Sequence, residues 1–179
     1  MKIREAVIYT GEVFEVPQGI QRIDTQATHG WQVRYGGTKL FSDLLAGGGD
    51  PARSLVLATK ELLKRIAALP APTKLQPRPS VGKSTDLPVG ISGPMVRARK
   101  STQVHDISLS VLEPLYGRTP RRRTIYIGTE NTYTKQRFKE ALARAVALRQ
   151  AAEEKYQLAE TRAKRAAGRA FKASLAGSA

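Results

Sequence analysis

The chain has 179 residues and a mass of 19.6 kDa, and its 30 lysine and arginine residues against 15 acidic residues give a formal net charge of +15. This length suits one ordinary domain or two small ones, and the excess of positive charge favours a polyanionic partner, most often nucleic acid, over a small-molecule substrate. The absence of cysteine excludes disulfides and thiolate zinc sites, two histidines exclude a multi-histidine metal site, and no apolar run reaches the length of a membrane helix.

The first half of the chain predicts three strands. They are the strings EVPQGIQRID, WQVRY and TKLFSD, separated by turns at His29–Gly30 and at the Gly-Gly pair after the second string. In WQVRY the alternation predicts that Trp31, Val33 and Tyr35 face the core, while the two polar residues between them face outward.

A helix is predicted after these strands. Asp50 followed by Pro51 is typical of an N-cap residue and a first-turn proline, and the preceding GGGD run is interpreted as the loop leading into the helix. The apolar stripe at helical spacing consists of Leu55, Ala58, Leu62 and Ile66.

The segment from Pro70 to Pro88 has the composition of a linker. It carries five of the chain's ten prolines and few large apolar residues, which favours an extended backbone. The string VGKST within it is similar to a phosphate-binding loop, but Pro77 stands where that motif needs glycine and no strand precedes it. We therefore predict an interdomain linker without nucleotide binding.

The second half of the chain repeats the plan of the first. The strings LPVGISGPMVRARK, VHDISLSVLEP and TIYIGT predict three strands, with the basic loop GRTPRRR between the last two. Asp106, Ser108 and Ser110 are predicted to face outward, and Thr132 or Thr134 is predicted to cap a long helix. The residues predicted to face inward are Ile107, Leu109, Val111, Ile125, Ile127, Phe138, Leu142 and Ala145.

Two similar strings open the two halves, EVPQGI at residues 15–20 and DLPVGI at residues 86–91. Because the elements that follow come in the same order, we infer an internal repeat. The predicted fold is α+β, with two tandem modules of a three-stranded antiparallel sheet plus a helix, and an extended C-terminal helix. The boundaries are 1–69 for the first module, 70–86 for the linker, 87–160 for the second module and 161–179 for a basic helical tail.

The C-terminal helix is longer than three strands require. Its pattern continues to about Lys172 with a stripe made mostly of alanine, and five basic but no acidic residues follow Glu160. Such a segment suits a tail on a nucleic-acid backbone, and the alternative is homodimerisation through this helix.

Two passages, GWQVRYGGTKLFSD and YIGTENTYTKQRFKEALARAVALR, resemble strands and helix of the APETALA/ethylene-response-factor (integrase-type) DNA-binding domain, related forms of which occur in phage proteins. The resemblance covers about residues 15–69 and 87–150, and it implies that the exposed sheet face lies in the DNA major groove. Carried over by position, the candidate DNA contacts are Gln21 or Arg22, Gln32, Arg34, Lys39, Arg97, Arg99, Lys100, Arg121, Arg122, Arg123 and Tyr126.

These observations predict a non-enzymatic, sequence-preferring binder of double-stranded DNA that needs no metal or cofactor. Arginine pairs bidentately with guanine and glutamine with adenine, so Gln32, Arg34, Arg97 and Arg99 are the candidates for base reading, whereas clustered arginines suit phosphates. We expect a phage or bacterial transcription regulator or accessory factor in the cytoplasm of a bacterial or phage-infected cell. A non-specific nucleoid-like or RNA-binding protein, and an assembly protein acting through its C-terminal helix, remain the alternatives.

Overall fold

A computed structural model of the chain describes residues 1–44, 49–98 and 104–177. The chain forms two compact units, one of Met1–Pro72 together with the residues from Glu160 onward, and one of Thr73–Ala159. The predicted α+β fold class is confirmed: two three-stranded antiparallel sheets are accompanied by helices, and the last helix is long. Neither helix in the described ranges combines the length and apolar character needed to cross a membrane.

The first unit contains a two-stranded sheet, a three-stranded sheet and a helix. Strand β1 pairs antiparallel with β2, and β3, β4 and β5 form an antiparallel sheet in that order. The elements are β1 (Ile3–Val7), β2 (Val13–Pro17), β3 (Ile20–Asp24), β4 (His29–Arg34), β5 (Thr38–Ser42) and α1 (Pro51–Ala68).

Two predictions for the first unit were wrong in detail. The string EVPQGIQRID is not one strand but the end of β2 and the whole of β3, because the chain turns at Gly19, whose φ is +109°. His29 and Gly30 are the first residues of β4, and the turn lies just before them, where the Thr25 amide donates to the Thr28 carbonyl at 2.9 Å. The pairing of β1 with β2 was not predicted.

The core of the first unit lies between the three-stranded sheet and α1. Trp31, Val33 and Tyr35 are buried as predicted, and they pack with Ala58 and Leu62 of the helix. Such burial is the main stabilising contribution to a module of this size. The N-cap prediction is confirmed, since the Asp50 carboxylate accepts a hydrogen bond from the Arg53 amide at 2.8 Å. Two glycines of the predicted loop before this cap, Gly47 and Gly48, lie outside the described residues.

The second unit contains one three-stranded antiparallel sheet in the order β6-β7-β8 and most of the last helix. Thr134 is the N-cap, because its hydroxyl accepts from the Arg137 amide at 3.1 Å. The core lies between the sheet and α2. The elements are β6 (Ile91–Ala98), β7 (His105–Glu113), β8 (Arg121–Thr129) and α2 (Lys135–Gly177).

Two predictions for this unit need correction. Arg121, Arg122 and Arg123 are not in a loop, because the ladder between β7 and β8 continues to the pair Glu113–Arg121. Ser108 and Ser110 lie on the face away from Leu109 and Val111, yet they are buried, with 5% and 6% of their surface exposed. Their side chains are small and lie on the central strand of the sheet, so the residues on either side limit their exposure.

The predicted linker contains no helix or strand, but parts of it are well packed. Ala71 is buried, and its amide donates to the Thr161 hydroxyl at 3.1 Å within the first unit. In the second unit, the Lys83 ammonium donates to the carbonyls of Leu87 at 2.5 Å, Pro88 at 2.7 Å and Ile91 at 3.0 Å. The ammonium of Lys83, the lysine of the VGKST string, therefore already donates to three backbone carbonyls.

The repeated strings have the same local structure in both units. Gly19 and Gly90 both have positive φ, and each is followed by an isoleucine that is almost fully buried. The carbonyl of Gly19 accepts from the Arg34 amide at 2.7 Å, and the carbonyl of Gly90 accepts from the Leu112 amide at the same distance. A positive φ is tolerated readily by glycine, which explains why this residue occupies both positions.

Candidate nucleic-acid interface

Each three-stranded sheet has one face packed on its helix and one open face, and the strand register assigns residues to them. Residues paired directly across antiparallel strands lie on the same face. In the first unit Gln21 pairs with Gln32, and Gln32 pairs with Leu40, on the face opposite to Trp31. Gln32 and Arg34 therefore share the open face with Gln21.

Arg22 lies on the helix-packed face, which decides between the two candidates on β3. It pairs across the sheet with Trp31, and its guanidinium carbon is 4.9 Å from the centre of the Trp31 ring. Its Nη2 atom lies 2.8 Å from Asp24 Oδ1 and 2.6 Å from Asp43 Oδ2, and only 8% of the side chain is exposed. Arg22 is thus held within the module and is not presented on the open face.

The two carboxylates that hold Arg22 have further partners. Asp43 accepts from the Ser54 hydroxyl at 2.5 Å, and the Asp24 carboxylate contacts the His29 ring nitrogen Nδ1 at 2.9 Å. The hydrogen bond from Arg22 is the main cause that lowers the pKa of Asp24, burial opposes it, and His29 lowers it further. This network links β3 to the residue that follows β5 and to α1.

Lys39 also lies on the helix-packed side, since it pairs across the sheet with Val33. Its ammonium is 5.2 Å from the centre of the Phe41 ring. Lys39 is exposed, but it points away from the face that carries Gln32 and Arg34. Three of the five candidate residues of the first module therefore share the open face, namely Gln21, Gln32 and Arg34, whereas Arg22 and Lys39 lie on the other face.

The open face of the first sheet is mostly polar and contains no carboxylate among its described strand residues. Arg34 is exposed, and its Nε donates to Gln32 Oε1 at 2.6 Å, so the arginine and the amide form one hydrogen-bonded pair. The residues on this face are Gln21, Ile23, Gly30, Gln32, Arg34, Thr38, Leu40 and Ser42. This set presents donors and acceptors at fixed strand spacing.

The open face of the second sheet has a different composition. Arg97 pairs across the strands with Asp106, and Tyr126 pairs with Ser108. Tyr126 is 49% exposed, and Arg122 is exposed at the end of the same face, opposite Leu112. Because Asp106 is acidic, this face is less favourable to an anion beside Arg97 than the first open face is beside Arg34.

Arg121 and Arg123 lie on the other face of the second sheet. Both contact Glu113, with Arg121 Nη2 2.8 Å from Oε2 and Arg123 Nε 2.8 Å from Oε1. Glu113 is 6% exposed, whereas the arginines are 59% and 48% exposed. The arginine cluster predicted from the sequence is therefore divided between two faces. Two further candidates, Arg99 and Lys100, lie outside the described residues.

The lysines of α1 are basic residues that were not predicted as candidate contacts. Lys60 and Lys64 are exposed on this helix and lie near Arg169 and Lys172 of the first unit. The signal was available, because both lysines fall between positions of the apolar stripe and hence on the opposite side of the helix.

Comparison of the chain with protein-family models, with curated proteins and with solved structures finds no match. The described residues contain no group of three or more histidine, cysteine or carboxylate side chains placed to hold a metal ion.

Proposed function

We propose that this protein binds double-stranded DNA with sequence preference, and that it acts as a transcription regulator or accessory factor on phage or bacterial DNA. The observation that carries the proposal is the open face of the first sheet, where Gln21, Gln32 and Arg34 lie together and no described strand residue is a carboxylate. The net charge of +15 supports a polyanionic partner.

The chemistry of this face fits base edges. The B-DNA major groove is roughly 12 Å wide and admits a two-stranded β-ribbon, and there arginine pairs bidentately with guanine and glutamine with adenine. Side chains on a sheet backed by a helix are held at fixed spacing, which favours reading over loose electrostatic attraction. The resemblance to the APETALA/ethylene-response-factor domain supports the same mode of binding.

The second module is proposed to contribute mainly contacts to the DNA backbone. Its open face presents Arg97, Arg122 and Tyr126, but Asp106 lies among them and the central strand offers serines. Contacts to phosphate fix position without specifying sequence. A second module on the same chain raises the effective concentration at a neighbouring site, so even weak contacts increase affinity.

The experiment is a selection of bound duplexes from a random DNA library at low and moderate salt, followed by affinity measurements on the enriched motif. Arg34→Ala should reduce discrimination at one base position by roughly 5- to 150-fold, which corresponds to the 1–3 kcal/mol of a bidentate contact. Lys39→Ala is the matched control, because it removes one cation from the other face of the same sheet.

The outcomes separate the proposal from its alternatives. A motif that persists at moderate salt and is relaxed by Arg34→Ala but not by Lys39→Ala supports base reading. Binding without a motif and with a steep salt dependence would instead favour a nucleoid-like protein. Preference for duplex RNA would also contradict the proposal, because a sheet cannot enter the deep, narrow major groove of A-form RNA. Absence of binding at either salt would overturn it.

A further inference from the structure

A basic groove lies in the first unit between α1 and the last part of α2. Its volume is about 450 Å³, and Leu63, Ile66, Ala67 and Gly168 provide its small and apolar lining. The remaining lining residues are all cationic: Lys60, Lys64, Arg165, Arg169 and Lys172.

Close packing holds the two walls of this groove together. A Cβ atom added to Gly168 would lie 2.9 Å from Ile66 Cγ2, so glycine permits the closest approach of the two helical segments. Arg165 Nη2 donates to the Ala68 carbonyl at 3.4 Å, and Thr161 is buried one turn earlier. The cations of the two walls therefore face a common space.

Among the residues that the structure describes, no carboxylate lines the groove. The α1 acid nearest in sequence, Glu61, accepts a hydrogen bond from Arg65 Nε at 2.8 Å, and neither residue lines the groove. The segment 161–177 contains no acidic residue. Five cations around one space repel each other, and an anion within it relieves that repulsion.

Two cations of the groove, Lys60 and Lys64, point away from the sheet, although Ile66 beside them belongs both to the core and to the groove lining. Lys60 is two residues from Ala58, Lys64 is two residues from Leu62, and a step of two residues turns an α-helix by about 200°. Ala58 and Leu62 are fully buried in the core against the sheet. The lysines accordingly point away from the sheet, and the sheet's open face points the other way.

We propose that this groove binds the phosphate backbone of a second DNA segment, so that the first unit can bridge two duplexes. Lysine and arginine around a smooth groove contact phosphates without reading bases. A single duplex on the sheet would have to turn sharply to reach the groove as well, and bending by 40–90° over 20–30 base pairs already costs about 1–6 kcal/mol. Phosphate binding in the groove stands independently, whereas bridging rests on the proposed function of the sheet.

The first test measures affinity for a duplex that lacks any selected motif, as a function of salt, using the full chain. Affinity falls as salt rises, with a slope of about −0.9 per phosphate contact on a plot of log affinity against log salt. The triple variant Lys64→Gln, Arg169→Gln, Lys172→Gln should therefore make this slope less steep by about 2 to 3. The control is Lys74→Gln, Lys135→Gln, Lys139→Gln, which removes the same charge from exposed residues outside the groove. Circular dichroism confirms that both variants fold.

The second test asks whether beads that carry one duplex capture a second, fluorescent duplex through the protein. The wild type and the control should capture it, and the groove variant should capture at least tenfold less. Equal slopes for the groove variant and the control would overturn the groove site, and undiminished capture by the groove variant would overturn bridging. If Arg34→Ala leaves motif preference intact while the groove variant loses slope, the sheet proposal fails and the groove site stands.

Discussion

The two modules bury opposite charges on strands of otherwise similar sheets. In the first, the Arg22 cation is 8% exposed and lies between the carboxylates of Asp24 and Asp43. In the second, the Glu113 carboxylate is 6% exposed and lies between Arg121 and Arg123. A buried charge needs such partners, because leaving it unpaired away from water is costly.

This difference shows why counting charges along the chain overestimates the cations available to a ligand. Arg22, Arg121 and Arg123 all count toward the net positive charge, yet each contacts a carboxylate on the helix-packed side of its sheet. Arg34 and Arg122 lie on the open faces instead. The strand register, more than the local charge, decides which cation a ligand on the sheet would meet.

The open faces differ as well, although the helix-packed faces follow one plan. Ile20 and Ile91 open the first strands of the two sheets after a positive-φ glycine, and both are buried. The first open face then carries amides and an arginine, whereas the second carries serines, a tyrosine, two arginines and an aspartate. We expect the helix-packed face, which is similar in the two modules, to maintain the fold, and the open face to determine which ligand is recognised.

The largest effect should come from a cavity in one core. Leu62 and Leu109 are fully buried in separate clusters, and truncation of a buried leucine to alanine costs about 2–5 kcal/mol. The chain has one tryptophan, Trp31, so its fluorescence reports the first module during denaturant unfolding. Leu62→Ala should lower the fluorescence midpoint, whereas Leu109→Ala should lower the midpoint of a second transition seen by circular dichroism.

Val56→Ala is the control for this experiment, because Val56 is 52% exposed on α1 and its truncation should change stability by less than about 0.5 kcal/mol. If Leu109→Ala shifted the Trp31 transition as much as Leu62→Ala does, the two modules would unfold as one cooperative unit. The comparison of two separate cores would then be wrong.

A smaller effect should distinguish the two buried charges. Asp43→Asn leaves Arg22 buried with one carboxylate fewer and weakens the acceptor for Ser54, so we expect a loss of about 3 kcal/mol. Glu113→Gln leaves two arginines that are already about half exposed and can be hydrated. We therefore expect this variant to lose only about 1 kcal/mol of unfolding free energy. Urea unfolding of both variants measures the difference, and equal losses would show that exposure of the partner does not govern the cost.

The sequence predicted the central elements of both modules because their signals are local. The alternation of Trp31 and Val33 follows from a strand with one face on the core, and the Asp50 cap needs only its own helix. The hairpin of β1 and β2 was not predicted, because β1 is exposed at four of its five residues and therefore shows no apolar alternation.

Site residues were harder to place because tertiary partners decide their orientation. β3 reads Ile-Gln-Arg-Ile-Asp, in which neither parity is clearly apolar, and the inward position of Arg22 depends on Asp43 beyond two further strands. Likewise, three successive arginines indicate a loop until Glu113 of the neighbouring strand provides a partner for two of them. The sequence identifies the basic residues, but pairing selects those that remain available.

The smallest effect concerns acid stability of the first module. Because Arg22 holds the pKa of Asp24 below its usual value, the contact contributes stability that is fully present above the unfolded pKa of about 3.9 and is lost as pH falls through the lower folded pKa. Asp24 is partly exposed, so solvent screening limits the contribution to below about 1 kcal/mol. In urea titrations followed by Trp31 fluorescence, Asp24→Asn should be less stable than the wild type at pH 6, and the difference should shrink as the pH falls below the unfolded pKa of about 3.9. A stability difference that stays constant across this range would mean that Asp24 acts through packing and not through its charge. Asp43 alone would then compensate the buried charge of Arg22.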